Sequence, residues 1–125
     1  MPTDALRVFI DIMIETREVG FDKLKQAQLE LGEKVRALLA SKGIKSVAAK
    51  GFEAPGVVVS YTQDANIQNG SKFGTTGMQI AAGVPLQCDE RADYQTFRLG
   101  LFGLDKLQNI PRTVDSLEAA LDEVL

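Results

Sequence analysis

The sequence of 125 residues contains no histidine, no tryptophan and a single cysteine. Without histidine, a Ser-His-Asp triad, a Cys-His pair and an imidazole metal ligand are all excluded. One cysteine allows neither an internal disulfide nor a thiolate cluster for zinc or an iron–sulfur centre. We therefore expect a reducing, cytoplasmic environment and no metal site.

The chain also lacks excess positive charge and long apolar runs. Its 14 lysines and arginines stand against 17 acidic residues, for a net charge of −3, and such a balance gives no basic surface for nucleic acid. No apolar run approaches the ~20 residues that span a bilayer. Arg7 and Asp11 interrupt the apolar start, so we expect no signal peptide and no membrane partner.

The composition that is present, 45% hydrophobic and 25% charged, is that of an ordinary folded domain. The length fits one domain over residues 1–125, which is enough to bury a core without disulfides or metal. Two long helices followed by short strands and further helices predict an α+β fold. We expect a small, mostly antiparallel sheet with helices packed on one of its faces.

The first predicted helix runs from about Thr3 to Val19, with Thr3 or Asp4 as its cap and Gly20 at its end. It is apolar nearly all round, which predicts that more than one of its faces is covered. Two interpretations stay open: a central core helix, or a helix whose second face needs a partner chain or another domain. Its apolar residues are Leu6, Val8, Phe9, Ile10, Ile12, Met13 and Ile14.

The second predicted helix extends from about Phe21 to Lys42 and is amphipathic. Gly43 followed by Ile44 is typical of a helix C-cap with its hydrophobic contact. A last helix is predicted to open at Asn109-Ile110-Pro111, since proline is common in the first helical turn. The apolar stripes are Leu24, Ala27, Leu31, Val35 and Leu38 in the second helix and Val114, Leu117, Leu121 and Val124 in the last.

Between these helices the pattern predicts four strands, at about 46–50, 57–62, 78–82 and 96–102. Residues 87–95 are predicted to form a polar loop. Residues 64–76 are ambiguous: Asn69-Gly70 favours a hairpin, whereas the glycine spacing favours a short helix started by Asp64. We predict the helix.

Arg98 is the main candidate for a functional residue. Strand alternation puts Arg98, Gly100 and Phe102 on the face opposite Phe97 and Leu99, and Gly100 leaves room beside the guanidinium for another group. A guanidinium fixed on a strand can bind a carboxylate through two hydrogen bonds, which lysine cannot reproduce. Spacing alone also fits an arginine on a solvated sheet face. No nucleophile–base pair and no cofactor cradle accompanies it.

Three stretches of the second half carry a resemblance to a known family. They are residues 51–61 (GFEAPGVVVSY), 77–86 (GMQIAAGVPL) and 97–105 (FRLGLFGLD). Together they resemble the C-terminal small domain of class V pyridoxal-phosphate aminotransferases, of the alanine–glyoxylate and serine–pyruvate type. The resemblance covers essentially the whole chain, and its most specific part is the Arg-Leu-Gly block.

The resemblance implies that Arg98 binds the α-carboxylate of a small amino acid or 2-oxo acid. In the family the Schiff-base lysine and the cofactor cradle belong to a large N-terminal domain, and none of the eight lysines here matches that segment. The family also has a Tyr-His-x-Thr segment just before the stretch similar to residues 1–3, so we expect the chain to begin past it. The implied protein is a detached transaminase domain that holds no pyridoxal phosphate and is inactive alone.

Two other functions stay open. The chain could be a stand-alone interaction module that forms a homodimer through the surface otherwise covered by the large domain, since such a surface would be a large apolar patch. It could also be a weak carboxylate sensor that uses Arg98. The amino donor and acceptor of a parent enzyme are not encoded in these residues.

Overall fold

A computed structural model describes residues 2–125, which fold into six helices around a three-stranded sheet. No helix among them is both long and apolar enough to cross a membrane. In chain order the elements are α1 (Thr3–Val19), α2 (Phe21–Ser41), β1 (Val57–Tyr61), α3 (Ala65–Gln68), α4 (Ser71–Thr75), β2 (Ala81–Ala82), β3 (Thr96–Gly100), α5 (Leu104–Gln108) and α6 (Ile110–Val124).

The sheet is antiparallel, and its strands lie in the order β1-β3-β2. The last strand in sequence is therefore the central one, and both of its neighbours hydrogen-bond to it. Helices cover the face that carries Val58, Phe97 and Leu99, where they enclose the core. The predicted α+β class, with two leading helices and a small antiparallel sheet, is confirmed.

The core lies between this sheet face and the helices α2, α4 and α6. Leu31 of α2 and Leu121 of α6 are fully buried, and the rings of Phe73 and Phe97 pack with centroids 5.9 Å apart. Burial of Leu117, Leu121 and Val124 confirms the predicted stripe of the last helix, although Val114 of that stripe is only partly buried.

Helix α1 has the predicted bounds, and Gly20 ends it with a φ of 103°. The predicted cap is wrong: the N-cap residue is Pro2, and no side chain caps the helix. No residue of α1 is buried, and the seven large apolar side chains from Leu6 to Ile14 are each 41–62% exposed. The core-helix interpretation is therefore wrong, because α1 contacts α2 and leaves most of its surface uncovered.

Helix α2 ends one residue earlier than predicted, and its C-cap is confirmed. Gly43 adopts a φ of 76°, its N–H donates to Ala40 O, and the N–H of Ile44 donates to Leu39 O at 2.9 Å. This pair of bonds is a Schellman motif, which needs the left-handed conformation that glycine adopts at no steric cost.

Two of the predicted strands are largely absent. Residues 46–50 contribute one isolated bridge, between Ser46 and Ser60. The strand predicted over 78–82 shrinks to Ala81–Ala82, because Met78 N–H still bonds back to Phe73 O as the chain leaves α4. The strand predicted over 96–102 ends at Gly100, and α5 follows without having been predicted.

The segment 64–76 is helical, so the hairpin alternative is wrong. Asp64 caps its start as predicted, accepting a hydrogen bond from the N–H of Asn66 at 2.8 Å. The helix is divided into α3 and α4, because Gly70 takes a left-handed φ of 82° that a continuous helix does not allow. Asn109 caps α6 as the sequence indicates, with Oδ1 accepting from the N–H of Arg112.

Candidate functional site

Arg98 occupies the middle of the central strand. In the sheet register it lies between Val59 of β1 and Ala81 of β2. Phe97 and Leu99, its sequence neighbours, are buried against the helices, so Arg98 belongs to the opposite, open face. The predicted alternation is confirmed, and the arginine is fixed on a strand that is hydrogen-bonded on both sides.

The guanidinium of Arg98 is anchored at one nitrogen and unengaged at the other two. Its Nε donates to the carbonyl oxygen of Ala82 at 2.9 Å. Within residues 2–125 this is its one hydrogen bond, and no carboxylate lies within ion-pair distance of it. The two terminal nitrogens, Nη1 and Nη2, are therefore available to an external carboxylate, and the side chain is half-buried.

Aromatic side chains accompany Arg98 on the open face. Tyr61 follows Val59 by two residues on β1, and the ring of Tyr94 packs on it edge to face, with centroids 5.8 Å apart. Burial raises the pKa of the Tyr94 phenol above its ordinary value. One end of the open face is thus closed by an aromatic pair.

The space that the sequence predicts beside Gly100 is occupied by Phe102. A Cβ built on Gly100 would lie 3.4 Å from Cε1 of Phe102, and one built on Gly56 would lie 4.0 Å from Cδ1 of the same ring. The phenyl ring therefore lies over two glycines. Gly100 does make room, as expected, but the room is filled by this chain's own aromatic ring.

A groove of about 510 Å³ lies elsewhere, between the chain entering β3 and the segment after β2. It is lined by residues including Gln68, Gly83, Tyr94 and Thr96, and Arg98 is not part of its lining. No three His, Cys, Asp or Glu side chains within residues 2–125 are grouped so as to hold a metal ion.

Five grooves on the surface of residues 2–125 do not fit a site for pyridoxal phosphate. None of these grooves has a lysine in its lining. Lys34, Lys42 and Lys72 form ion pairs with acidic side chains. The hydrogen bond from Lys42 to Asp122 raises the pKa of this lysine, which keeps it protonated and a poor nucleophile.

Sequence reasoning missed the role of Arg36, which lies on α2. Its guanidinium donates to the Ser46 hydroxyl and to the carbonyl oxygens of Ala54 and Val57, and so ties α2 to the segment before β1. It borders a cavity of about 220 Å³ in which the buried hydroxyl of Ser60 has no partner among residues 2–125. No local sequence signal indicates such long-range bonds.

Comparison with known proteins assigns the chain to no family. The chain matches no protein-family model, and the search of curated proteins gave no match. The resemblance to class V aminotransferases stays a prediction from the residues quoted above.

Proposed function

We propose that this chain is the C-terminal small domain of a class V transaminase and that Arg98 binds the α-carboxylate of its substrate. The observation that carries the proposal is the guanidinium of Arg98, held at Nε by Ala82 O and unengaged at its terminal nitrogens. Arg36, by contrast, directs its terminal nitrogens at protein acceptors and so serves the fold.

The geometry suits carboxylate binding for two reasons. The guanidinium group is fixed on the central strand, so little conformational freedom is lost when a ligand binds. Two parallel N–H···O bonds to a carboxylate also fix its orientation as well as its position. A substrate held in this way has its Cα bonds directed relative to whatever group lies opposite, and orientation of this kind contributes several kcal/mol to catalysis.

The opposite wall of such a site would come from a large domain. Amino-group transfer needs the electron sink that pyridoxal phosphate supplies, and we propose that the large domain, not this chain, holds that group. The exposed apolar surface of α1 also supports a large domain as the partner. Seven large apolar side chains are exposed there, and a patch of this kind is typical of an interaction surface. We also propose that the protein is cytoplasmic, and the exposed free thiol of Cys88 is consistent with that reducing compartment.

Titration of the isolated chain with small 2-oxo acids tests the role of Arg98. The probe is pyruvate, and the readout is the Nε–H resonance of Arg98 in a nitrogen-15 NMR spectrum. We expect a saturable shift with a dissociation constant in the millimolar range, which corresponds to about −4 kcal/mol. Pyruvamide, which has the same shape without the charge, is expected to produce no such shift.

Two variants complete the experiment. Arg98→Lys keeps the positive charge but loses the planar guanidinium with its two parallel donors. We expect this variant to bind pyruvate at least about tenfold more weakly. Arg91→Lys is the matched control, because Arg91 is highly exposed and already paired with Asp93, so its affinity is expected to match the wild type. Equal affinity in Arg98→Lys, or no saturable shift in the wild type, would contradict the proposal.

The genomic reading frame before the codon of Met1 tests the family assignment. We expect an in-frame segment with Tyr-His-x-Thr and, further upstream, the lysine that would carry the cofactor. Alternatively, these elements would be found on a separate polypeptide that copurifies with the chain. An organism that encodes neither would contradict the assignment to a transaminase.

A stand-alone dimerising module is the second candidate, and the exposure of α1 favours it. Sedimentation equilibrium separates the two functions. A dimer that dissociates in Val8→Lys and Ile12→Lys, but not in a control with Phe52→Lys, would favour the module. Both α1 positions are about half exposed or more and Phe52 is exposed too, so none of the three changes is expected to unfold the chain. A monomer at high concentration would exclude this alternative.

A further inference from the structure

The cavity of about 220 Å³ beside Arg36 lies on the helix side of the sheet, opposite the open face that carries Arg98. It is bordered by the second half of α2, by the segment that follows this helix, and by β1. Exposed lining residues at Ala40 and Glu53 connect it to solvent. The lining combines four apolar residues with four polar ones: Leu39, Ala40, Ile44 and Val58, and Arg36, Ser46, Glu53 and Ser60.

The hydroxyl group of Ser60 distinguishes this cavity from ordinary packing defects. Ser60 is 1% exposed, and its Oγ has no hydrogen-bond partner among residues 2–125. Alternation along β1 places Ser60 on the same face as Val58, toward the helices. A buried hydroxyl without a partner destabilises a fold, because its hydrogen bonds to water are lost and not replaced. A molecule in the cavity that bonds to Ser60 would recover part of that loss.

The position of Ser60 is fixed from both sides of β1. It pairs with Phe97 of β3 in the sheet register and forms a bridge with Ser46 on the other side. Residues directly opposite each other in an antiparallel pair share a face, so Ser46 and Ser60 both belong to the cavity wall. Ser46 Oγ already accepts from Nη1 of Arg36 at 3.1 Å and from the N–H of Ala48 at 3.2 Å. The wall is therefore preformed, and Ser60 offers an unengaged hydroxyl on it.

The charges in the lining favour a neutral occupant. The lining contains one cationic side chain, Arg36, and one anionic side chain, Glu53, and so has no net charge. Both terminal nitrogens of Arg36 already donate to protein acceptors, and Glu53 Oε2 accepts from the N–H of Gly51 at 2.7 Å. A charged molecule would lose its hydration here without gaining a free counter-charge on the guanidinium.

We propose that this cavity binds a small neutral molecule with a hydroxyl group on a compact apolar body, and that the hydroxyl bonds to Ser60 Oγ. The apolar body contacts Leu39, Ile44 and Val58. A cavity of ~150 Å³ accepts benzene, so about 220 Å³ has room for a six-membered ring with one substituent. This site is separate from the Arg98 site and does not depend on the proposed function.

Titration of the full chain with phenol and toluene tests the proposal. The two probes have nearly the same size and shape, but only phenol carries a hydroxyl. The readout is the methyl resonances of Ile44 and Val58 in NMR spectra, and we expect phenol to shift both in a saturable way. In Ser60→Ala the ratio of phenol affinity to toluene affinity is expected to fall about tenfold, because the phenol hydroxyl loses its partner while the ring contacts stay.

Ser116→Ala is the matched control, because Ser116 is an exposed serine on α6 outside the lining, and it is expected to keep the wild-type ratio. Benzoate, a charged probe with the same ring, is expected not to shift the two methyl groups. The proposal is overturned if phenol gives no saturable shift there, as when the cavity takes up only water, if benzoate shifts them equally, or if the affinity ratio is unchanged in Ser60→Ala. Urea unfolding checks that Ser60→Ala is folded, and the wild-type titrations test the cavity without this variant.

Discussion

Single glycines set how closely the backbone segments of this domain approach each other. A Cβ on Gly83 would lie 1.8 Å from the carbonyl oxygen of Thr96 in β3. The same glycine is linked to Gln68 by two hydrogen bonds, from its own N–H and to its carbonyl oxygen. No side chain can be accommodated there unless the backbone of β3 moves.

We predict that Gly83→Ala lowers the free energy of unfolding by about 3 kcal/mol, because the clash involves backbone rather than a flexible side chain. Gly74→Ala is the matched control, because Gly74 lies in α4 and the added carbon would meet no atom within 4 Å beyond its chain neighbours and its own helix backbone. Alanine there is expected to be neutral or to stabilise by up to ~1 kcal/mol. Urea denaturation measures both, and equal effects would contradict the packing explanation.

Glu90 organises the loop before β3. Its carboxylate accepts hydrogen bonds from the N–H groups of Cys88 and Gln87, at 2.8 and 2.9 Å, and these bonds lower the pKa of Glu90 from 4.5 to about 2. Gln87 and Asp89 adopt left-handed φ values of 58° and 60°, so the loop needs such support. A lowered pKa means that this contribution to stability is complete above pH 4.5 and is lost between pH 4.5 and 2.

We therefore expect stability to decline more steeply between pH 4.5 and 2 in the wild type than in Glu90→Gln, whose amide does not titrate. The difference between their urea midpoints should narrow as the pH falls through this window. Hydrogen exchange at the amides of Cys88 and Gln87 gives a local readout. A constant difference between the two proteins across this range would show that the bonds do not depend on the charge.

At the scale of whole elements, the long helices were predictable because they carry their own boundary signals. Gly20 and Gly43 mark the ends of α1 and α2, and Asn109 marks the start of α6. The true length of β2 could not be predicted in this way, since a strand of two residues exists only because β3 lies beside it. α5 likewise depends on its position next to α2 and α6.

The buried stripe of α2 forms part of the core and yields a prediction at the scale of this helix. Leu31 is fully buried, whereas Leu29 on the same helix is 40% exposed. Leu31→Ala is expected to destabilise the protein by about 2–5 kcal/mol through lost contacts and a residual cavity, and Leu29→Ala by less than about 1 kcal/mol. Urea unfolding midpoints of the two variants check this prediction. Similar losses of stability in both variants would mean that α2 packs through a different face.

At the scale of the whole molecule, the alternation around Arg98 and the fold class could be read from the sequence, but the strand order could not. Placing β3 in the centre depends on pairings across long stretches of chain, between Val59 and Arg98 and between Arg98 and Ala81. The orientation of Phe102 depends on the same pairings. Those contacts determine which groups surround the guanidinium, and so the site could be predicted only as a single residue.

The chain alone is predicted not to process amino acids with pyridoxal phosphate. Its lysines are expected to react with the cofactor only as scattered surface amines. Absorbance spectra should therefore be the same for folded chain and for chain unfolded in urea, and alanine should not bleach a band specific to the folded form. A band that requires the fold and responds to alanine would overturn this prediction.

The edges of the sheet bear on how the protein behaves at high concentration. Along the outer edge of β1, Val47 N–H donates to Val59 O and Tyr61 N–H donates to Lys45 O. These backbone groups of β1 therefore already have hydrogen-bond partners. The other border is β2, which is too short to template an incoming strand. Pairing of two copies edge to edge through this sheet is therefore disfavoured. We expect any precipitation to begin with contacts between the exposed apolar surfaces of α1, which detergent would suppress.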